Sequence, residues 1–375
     1  MPDTPILTTT AEVAALAAEL ARETAIAVDL EADSMHCYQE KVCLLQFSTP
    51  SRTVLVDPLA GADLTPLNGV LANGGIRKIF HAADYDIRCL RRDFGIEIHG
   101  LFDTMISCQF LGEEKVGLAD VLGKYFGVVL DKQFQRADWA QRPLSPGMIR
   151  YAAEDTRHLH KLVELLERKL RDKGRLEWVA EEFELLEKVR HNESSGPMFL
   201  RLKGAGTLDR RALAVVEELL QWRDGEARRR DCPPFKVLGT EPLLALASRQ
   251  PQDASALVGI AGLPSRLAER YGRELLSAVA AGLALPEANL PRYPRGERTL
   301  RDPEVDARLA RLKDWRKAKA AELEIDAGVL INNAALEELA RRRPGNSAAL
   351  AEVPGLKRWQ QRELGSGLLQ ALAAG

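Results

Sequence analysis

The chain has 375 residues, 46% hydrophobic and 28% charged, with a net charge of −2. That is more chain than one core usually serves, so two or three globular domains are expected. No apolar run approaches a membrane span, and MPDTPILTTT lacks the basic start and apolar core of a signal peptide, so a cytoplasmic protein with no membrane partner is expected. Five cysteines (Cys37, Cys43, Cys89, Cys108, Cys232) without a C-x-x-C argue against a disulfide framework or a zinc site and fit a reducing compartment.

In chain order, AEVAALAAELARE (11–23) reads as an amphipathic helix, and TAIAVDLE, VCLLQFST and RTVLVDP read as three strands. The last two are joined by a short turn around Pro50-Ser51, which predicts an antiparallel hairpin. Helices are predicted at 63–73, 84–94, 103–112, 117–126 and 147–172, with short strands at RKIFHA (77–82) and near IHGLF (98–102). Three leading strands followed by alternating strands and helices make a mixed α/β sheet, not a purely parallel one.

From residue 192 the texture changes to helix only. Trp222-Arg223 recurs as Trp315-Arg316, and that offset of 93 maps Leu246-Ala247 to Leu339-Ala340, Gly262-Leu263 to Gly355-Leu356 and Leu275-Leu276 to Leu368-Leu369 without a gap. The second half is therefore a duplicated small helical domain. The expected organisation is an α/β domain over 1–191, a linker over 192–208, a first repeat over 209–284, a Pro-rich linker over 285–300 and a second repeat over 301–375. Residues 1–195 hold 23 basic against 31 acidic side chains, and residues 196–375 hold 29 against 23, so the second half is the one suited to a polyanion.

Three acidic stretches carry the chemistry. In IAVDLEAD (26–33), strand alternation puts Asp29 and Glu31 on one face, where like charges repel and are costly to desolvate. Either the strand has already ended and both acids are solvated, or a divalent cation lies between them. IFHAADYDIRCL (79–90) leaves a strand and enters a helix, with Asp84 and Asp86 in its first turn; capping alone could account for either. In IRYAAEDTRHLHKL (149–162), Tyr151 and Asp155 are four apart and share a helix face. Together these give four carboxylates spread over a strand and two helices. Hard oxygen ligands in that number suit Mg²⁺ or Mn²⁺, and two such ions roughly 4 Å apart serve in-line displacement at phosphate.

These residues resemble a known family. VDLE followed by CLLQFST, then FHAADYDI, then YAAEDT are similar to the three exonuclease motifs of the DEDD superfamily in its ribonuclease D branch. LDKQFQRADWAQRPLSP (130–146) resembles the segment that precedes the third motif, and the tandem repeats resemble HRDC domains. The resemblance covers nearly the whole chain. It implies a ribonuclease H-like α/β exonuclease domain followed by two all-α HRDC domains, and a two-metal 3′→5′ exoribonuclease releasing nucleoside 5′-monophosphates from RNA with a free 3′ end, with tRNA precursors the typical substrate. Carried over by position, Asp29, Glu31, Asp86 and Asp155 are the metal-binding and catalytic carboxylates. The second motif selects Asp86 over Asp84. Tyr151, four residues before Asp155, marks the tyrosine type and positions the water. Lys132 is a candidate substrate contact. His81 is expected to be structural, His158 and His160 are left without a role, and Trp222 and Trp315 are read as packing.

The basic candidates for phosphate contact lie in the repeats: Arg228, Arg229, Arg230, Arg316 and Lys317. The chain departs from the family in the polar insert ADSMHCYQEK (32–41) between D-x-E and CLLQ. Two other functions compete with the exoribonuclease: a DNA 3′→5′ exonuclease using the same quartet, and an inactive RNA-binding scaffold, against which the intact quartet speaks. A monomer is the default expectation.

Overall fold

The computed structural model describes residues 4–191, 196–294 and 302–374; parts of the linkers expected at 192–208 and 285–300 lie outside them. The α/β region runs β1 (Ile6–Leu7), α1 (Thr10–Leu20), β2 (Ala25–Ala32), β3 (Val42–Ser48), β4 (Thr53–Val56), α2 (Asn68–Leu71), β5 (Arg77–Phe80), α3 (Asp84–Phe94), β6 (Leu101–Asp103), α4 (Thr104–Leu111), α5 (Leu118–Phe126), α6 (Pro146–Arg157), α7 (Leu159–Asp172) and α8 (Leu176–Leu186). The strands form one six-stranded sheet, ordered β1-β4-β3-β2-β5-β6. β3 is antiparallel to both β2 and β4, whereas β1 on β4, β5 on β2 and β6 on β5 are parallel. The mixed sheet and the hairpin are those expected from the sequence. β3 is buried along its whole length, which is why VCLLQFS reads as a continuous apolar run with little alternation.

Two differences from the expected elements matter. The helix expected over 147–172 is two helices meeting at His158. Both sides of the break are tied to the same strand residue: Thr156 Oγ1 shares a hydrogen bond with Ser48 Oγ at 2.6 Å, and His160 Nε2 lies 2.8 Å from the Ser48 carbonyl. α8 was not expected at all, yet it is the helix on which the second repeat is built.

The first repeat contains α9 (Arg210–Arg229), α10 (Pro234–Val237), α11 (Thr240–Arg249) and α12 (Ser265–Ala284). The second contains α13 (Pro303–Leu323), α14 (Ala327–Leu330), α15 (Asn333–Arg342), α16 (Ser347–Ala351) and α17 (Arg358–Ala373). The duplication extends to backbone detail. Asp231, Gln250 and Gly262 take positive φ, and so do Glu324, Arg343 and Gly355 at the same offset. The repeated arginine explains itself as well: Arg223 Nη1 donates to the Leu238 carbonyl at 3.1 Å and Arg316 Nη1 to the Ile331 carbonyl at 2.7 Å, closing the end of the short helix in each repeat. Trp222 packs edge-on against Tyr271, and Trp315 lies against Gly367, where no side chain would fit between them.

The described chain divides into two compact units. The α/β region and the second repeat form one; Asp33–Lys41 and the first repeat form the other. Within the second of these units Tyr38 donates its hydroxyl to Asp224 at 2.9 Å, its backbone N–H reaches Asp231 at 3.1 Å, and the Arg228 guanidinium lies over its ring.

Within the first unit, the second repeat shares a core with the α/β region. Trp359 stacks on Trp178 of α8 with ring centroids 4.7 Å apart, and Phe110 of α4 meets both edge-on. Glu181 accepts the backbone N–H groups of Arg358 and Trp359 at 2.9 and 2.8 Å, so a carboxylate from α8 caps the start of α17. Arg175 donates to the Phe110 carbonyl at 2.6 Å and also to that of Leu323. Gly112 lies so close to the Glu324 carbonyl that a Cβ there would collide with it. Trp359→Ala is expected to destabilise the protein by about 3–5 kcal/mol, measured by urea unfolding; a loss under about 1 kcal/mol would show that the repeat is not held by this contact.

Candidate active site

Asp29 and Glu31 sit on β2, two residues apart and on one face, opposite Gln46 and Leu44 of β3. The register slips between Glu31 and Ala32, leaving Cys43 as the extra residue of a bulge directly after the second acid. The strand therefore does not end before the acids: β2 runs through both, is paired with β3 at each, and leaves both half-buried.

The second acidic stretch is resolved by backbone geometry. β5 ends at Phe80, and Ala82 adopts φ 70°, a left-handed conformation that costs a non-glycine residue about 1–2 kcal/mol. That sharp turn starts α3 so that Asp86 is 6% exposed, whereas Asp84 faces solvent and pairs with Arg88 at 2.8 Å. Asp103, at the end of β6 and fully buried, holds the turn. Its carboxylate accepts the N–H groups of Ala82 (3.2 Å) and Ala83 (2.8 Å), and those of Met105 (2.8 Å) and Ile106 (3.1 Å) at the start of α4. Sequence reasoning passed over Asp103; an Asp between an apolar strand and TMIS carries the ordinary helix-cap signal. His81 Nδ1 lies 2.9 Å from Thr104 Oγ1 within the same turn.

The third stretch lies on α6, capped by Ser145 and started by Pro146. Tyr151 and Asp155 share its face toward the sheet, and Phe134 and Trp139 wall the Tyr151 ring at 6.1 and 5.9 Å between centroids. Trp139 belongs to the segment QFQRADWAQRPL. Arg142 of that segment clasps Asp57 with two hydrogen bonds of 2.6 and 2.7 Å and donates to the Cys43 carbonyl in the bulge at 2.7 Å. A cleft of about 440 Å³ opens here, lined by Val129, Leu130, Phe134, Tyr151 and Asp155 among others. Lys132 and Gln135 border a smaller recess that also reaches Tyr151 and Asp155. Of the remaining candidates, Arg228 pairs with Asp224, Arg229 with Glu226, and Arg230 donates to the Tyr271 hydroxyl at 3.0 Å; Lys317 is exposed.

The electrostatics tie the four carboxylates together. Burial raises Asp29 to about 7, with a backbone hydrogen bond at Leu30 offsetting part of the shift. Glu31 is raised well above its ordinary value by burial and then by repulsion from Asp29, Asp155 and Asp86. Asp86 is raised likewise by burial, then by Asp29, Asp103 and Asp84. Asp155 rises to about 8 through burial and then Asp29 and Glu154. Burial and then Asp155, Glu31 and Asp29 push Tyr151 far above the usual phenol range. Asp29 is thus the charge that acts on all three of the other acids and on Tyr151. Among the described residues, however, no three His, Cys, Asp or Glu side chains are drawn together closely enough to form a finished metal cage. Four carboxylates, Asp86 buried and Asp29, Glu31 and Asp155 half-buried, with no cationic partner among the causes of their shifts, fit a hard divalent cation.

The fold is that of a 3′→5′ exonuclease domain. The family model described as 3′-5′ exonuclease matches residues 5–171, and that described as HRDC domain matches 212–279 and 305–372. Curated relatives named ribonuclease D are similar over most of their length: the one from Gluconacetobacter diazotrophicus is 35% identical, covering 79% of this chain and 76% of its own, and the one from Granulibacter bethesdensis is 31% identical, covering 98% and 92%. The crystal structure of Escherichia coli RNase D, an exoribonuclease involved in structured RNA processing, superposes with a TM-score of 0.75 at 27% identity, covering 99% of this chain and 98% of that one. The chain belongs to the ribonuclease D family and is a 3′→5′ exoribonuclease. That family depends on divalent metal.

Two outcomes follow from the geometry. Each of the four acids keeps its proton to a higher pH folded than unfolded, so between about pH 4 and pH 8 the metal-free fold binds more protons than the unfolded chain. Stability must then fall as pH rises through that window. In EDTA the melting temperature is expected to drop from pH 5 to pH 8, and saturating Mg²⁺ to remove most of the drop; a flat profile in EDTA would contradict the shifts. Asp103→Ala is expected to cost at least about 2 kcal/mol, because it leaves buried N–H donors unpaired. It should also lower exonuclease kcat by displacing Asp86, with Asp103→Asn intermediate in both.

Proposed function

We propose that the enzyme trims the 3′ ends of structured RNA, tRNA precursors among them, using Asp29, Glu31, Asp86 and Asp155 to hold two Mg²⁺ or Mn²⁺ ions. The single observation that carries this reading is the convergence of four carboxylates from three different elements of one sheet domain, with repulsion from Asp29 acting on each of the other three. Bound cations supply the Lewis-acid chemistry, making water nucleophilic at neutral pH and offsetting charge as the phosphodiester breaks.

The chain's own residues do the rest. Tyr151, its proton held far above the operating pH by burial and by Asp155, donates a hydrogen bond that orients the attacking water and does not act as the base. The cleft beside it, with Phe134 and Val129 on its wall, takes the terminal nucleotide by apolar and aromatic contact, which suits any base. Lys132 reaches the scissile phosphate from the adjoining recess. The two helical repeats bind the RNA body by shape and backbone charge. Arg228, Arg229, Arg230 and Lys317 are exposed basic groups suited to that contact, whereas Arg316 is half-buried. The enzyme acts as a cytoplasmic monomer.

The test is a 5′-labelled tRNA with a 3′ extension, beside single-stranded DNA of similar length, in Mg²⁺ or Mn²⁺. RNA should shorten one nucleotide at a time, stop in EDTA, and outpace DNA. Asp155→Asn should lower kcat by about 10³-fold or more, and Tyr151→Phe by about 10²-fold with little change in KM. DNA degraded as fast as RNA, or RNA bound but never shortened, would overturn the reading.

A further inference from the structure

Gln46 stands directly opposite Asp29 in the antiparallel register, so the two side chains share a face of the sheet as nearest cross-strand neighbours. Its position is fully buried, and neither Oε1 nor Nε2 has a hydrogen-bond partner among the described residues. The same face of β3 presents Leu44 opposite Glu31, and Ser48 bonded to Thr156 of α6, the residue after Asp155. The amide therefore lies in the layer between the first carboxylate of β2 and the helix that carries Tyr151 and Asp155.

A primary amide has two donors and an acceptor, and folded proteins rarely bury one with none of them used. Leu or Met would fill the same volume in this otherwise apolar strand without leaving any polar group unpaired. The amide needs a partner that becomes available when the site is loaded. Asp29 is the neighbour that can provide it. A carboxylate that turns one oxygen to a cation leaves the other free to accept a hydrogen bond, and such supporting donors fix the orientation of metal-binding carboxylates. A neutral donor also suits the place, because a Lys or Arg there would compete with the cation for the same charge.

We propose that Gln46 is a positioning residue of the metal site: its Nε2–H donates to one carboxylate oxygen of Asp29 when a divalent cation is bound, and so turns the other oxygen toward that cation. The inference rests on the reading of the quartet as a divalent-cation site. It makes two consequences run in opposite directions. Without metal the amide is an unpaired buried group, so removing it should not destabilise the fold. With metal it orients a ligand, so removing it should weaken binding.

The test uses the full chain and two apolar replacements of similar size, Gln46→Met and Gln46→Leu, so that a failure of one to fold leaves the other. Mn²⁺ alone, with no RNA, is titrated into each protein and followed by the electron paramagnetic resonance of the free ion. Melting is recorded in EDTA, and exonuclease rate is recorded against Mn²⁺ concentration. The expected result is a melting temperature in EDTA equal to or above that of the wild type and Mn²⁺ affinity weakened by about 10–100-fold. The Mn²⁺ concentration for half-maximal rate should rise in parallel, with kcat largely restored at saturating Mn²⁺. A lowered melting temperature with unchanged Mn²⁺ affinity would overturn the inference and make Gln46 a packing residue. Wild-type protein that binds no Mn²⁺ would overturn the cation reading and this inference with it, whereas a wild type that binds and variants that bind equally well would overturn the role of Gln46 alone.

Discussion

Four carboxylates held in one another's electric field, on a surface from which much of the water is excluded, are the constraint around which this enzyme is organised. Left alone, such groups would take up protons or move apart, and Asp29 at about 7 and Asp155 at about 8 show how far the balance is pushed. Folding energy gained elsewhere keeps them where a cation can neutralise them. The site is thus a place where stability is given up locally in exchange for affinity toward a hard ion and, through it, a phosphate.

The surrounding structure supplies the resistance. β2 is paired with β5 ahead of its acids and with β3 through both of them, and β3 bulges at Cys43 just past Glu31. The turn at Ala82 is held in an unfavourable backbone conformation by the buried carboxylate of Asp103, and this delivers Asp86. α6 is anchored to β3 through Thr156 and Ser48, and the segment before it is clasped by Arg142 to Asp57 and to the bulge. Further away, the second repeat packs its Trp359 into the α/β core and adds buried apolar surface to the unit that bears the strain.

Much of this was legible in the sequence because it follows from periodicity. Two acids two apart on a strand and a Tyr and Asp four apart on a helix fix their shared faces without any tertiary knowledge. The duplication was legible because an offset of 93 holds over a long register, and the structure adds that the same residues take positive φ in both copies. What was not legible depended on contacts between distant segments. Residues alone left Asp84 and Asp86 equivalent; only the φ of Ala82, set by Asp103 some twenty residues on, separates the exposed acid from the buried one. The break at His158 is invisible in a helix-compatible run and is fixed by Ser48 from another strand. Arg316 reads as basic surface, but like Arg223 in the first repeat it is turned back onto a carbonyl of its own repeat. Gln46 gave no signal at all, since a glutamine in an apolar strand is informative only once its lack of a partner is seen.

The most direct test of the central claim is to count protons. Calorimetric titration of Mg²⁺ or Mn²⁺ into the RNA-free protein at pH 7, in buffers of differing ionisation enthalpy, gives the number of protons released per bound ion. If these four carboxylates, their protons held to raised pH, form the cation site, binding should release protons at pH 7, the number should fall as the pH is raised, and Asp155→Asn should reduce it. Tight cation binding with no proton release, or release unaltered by Asp155→Asn, would contradict the account.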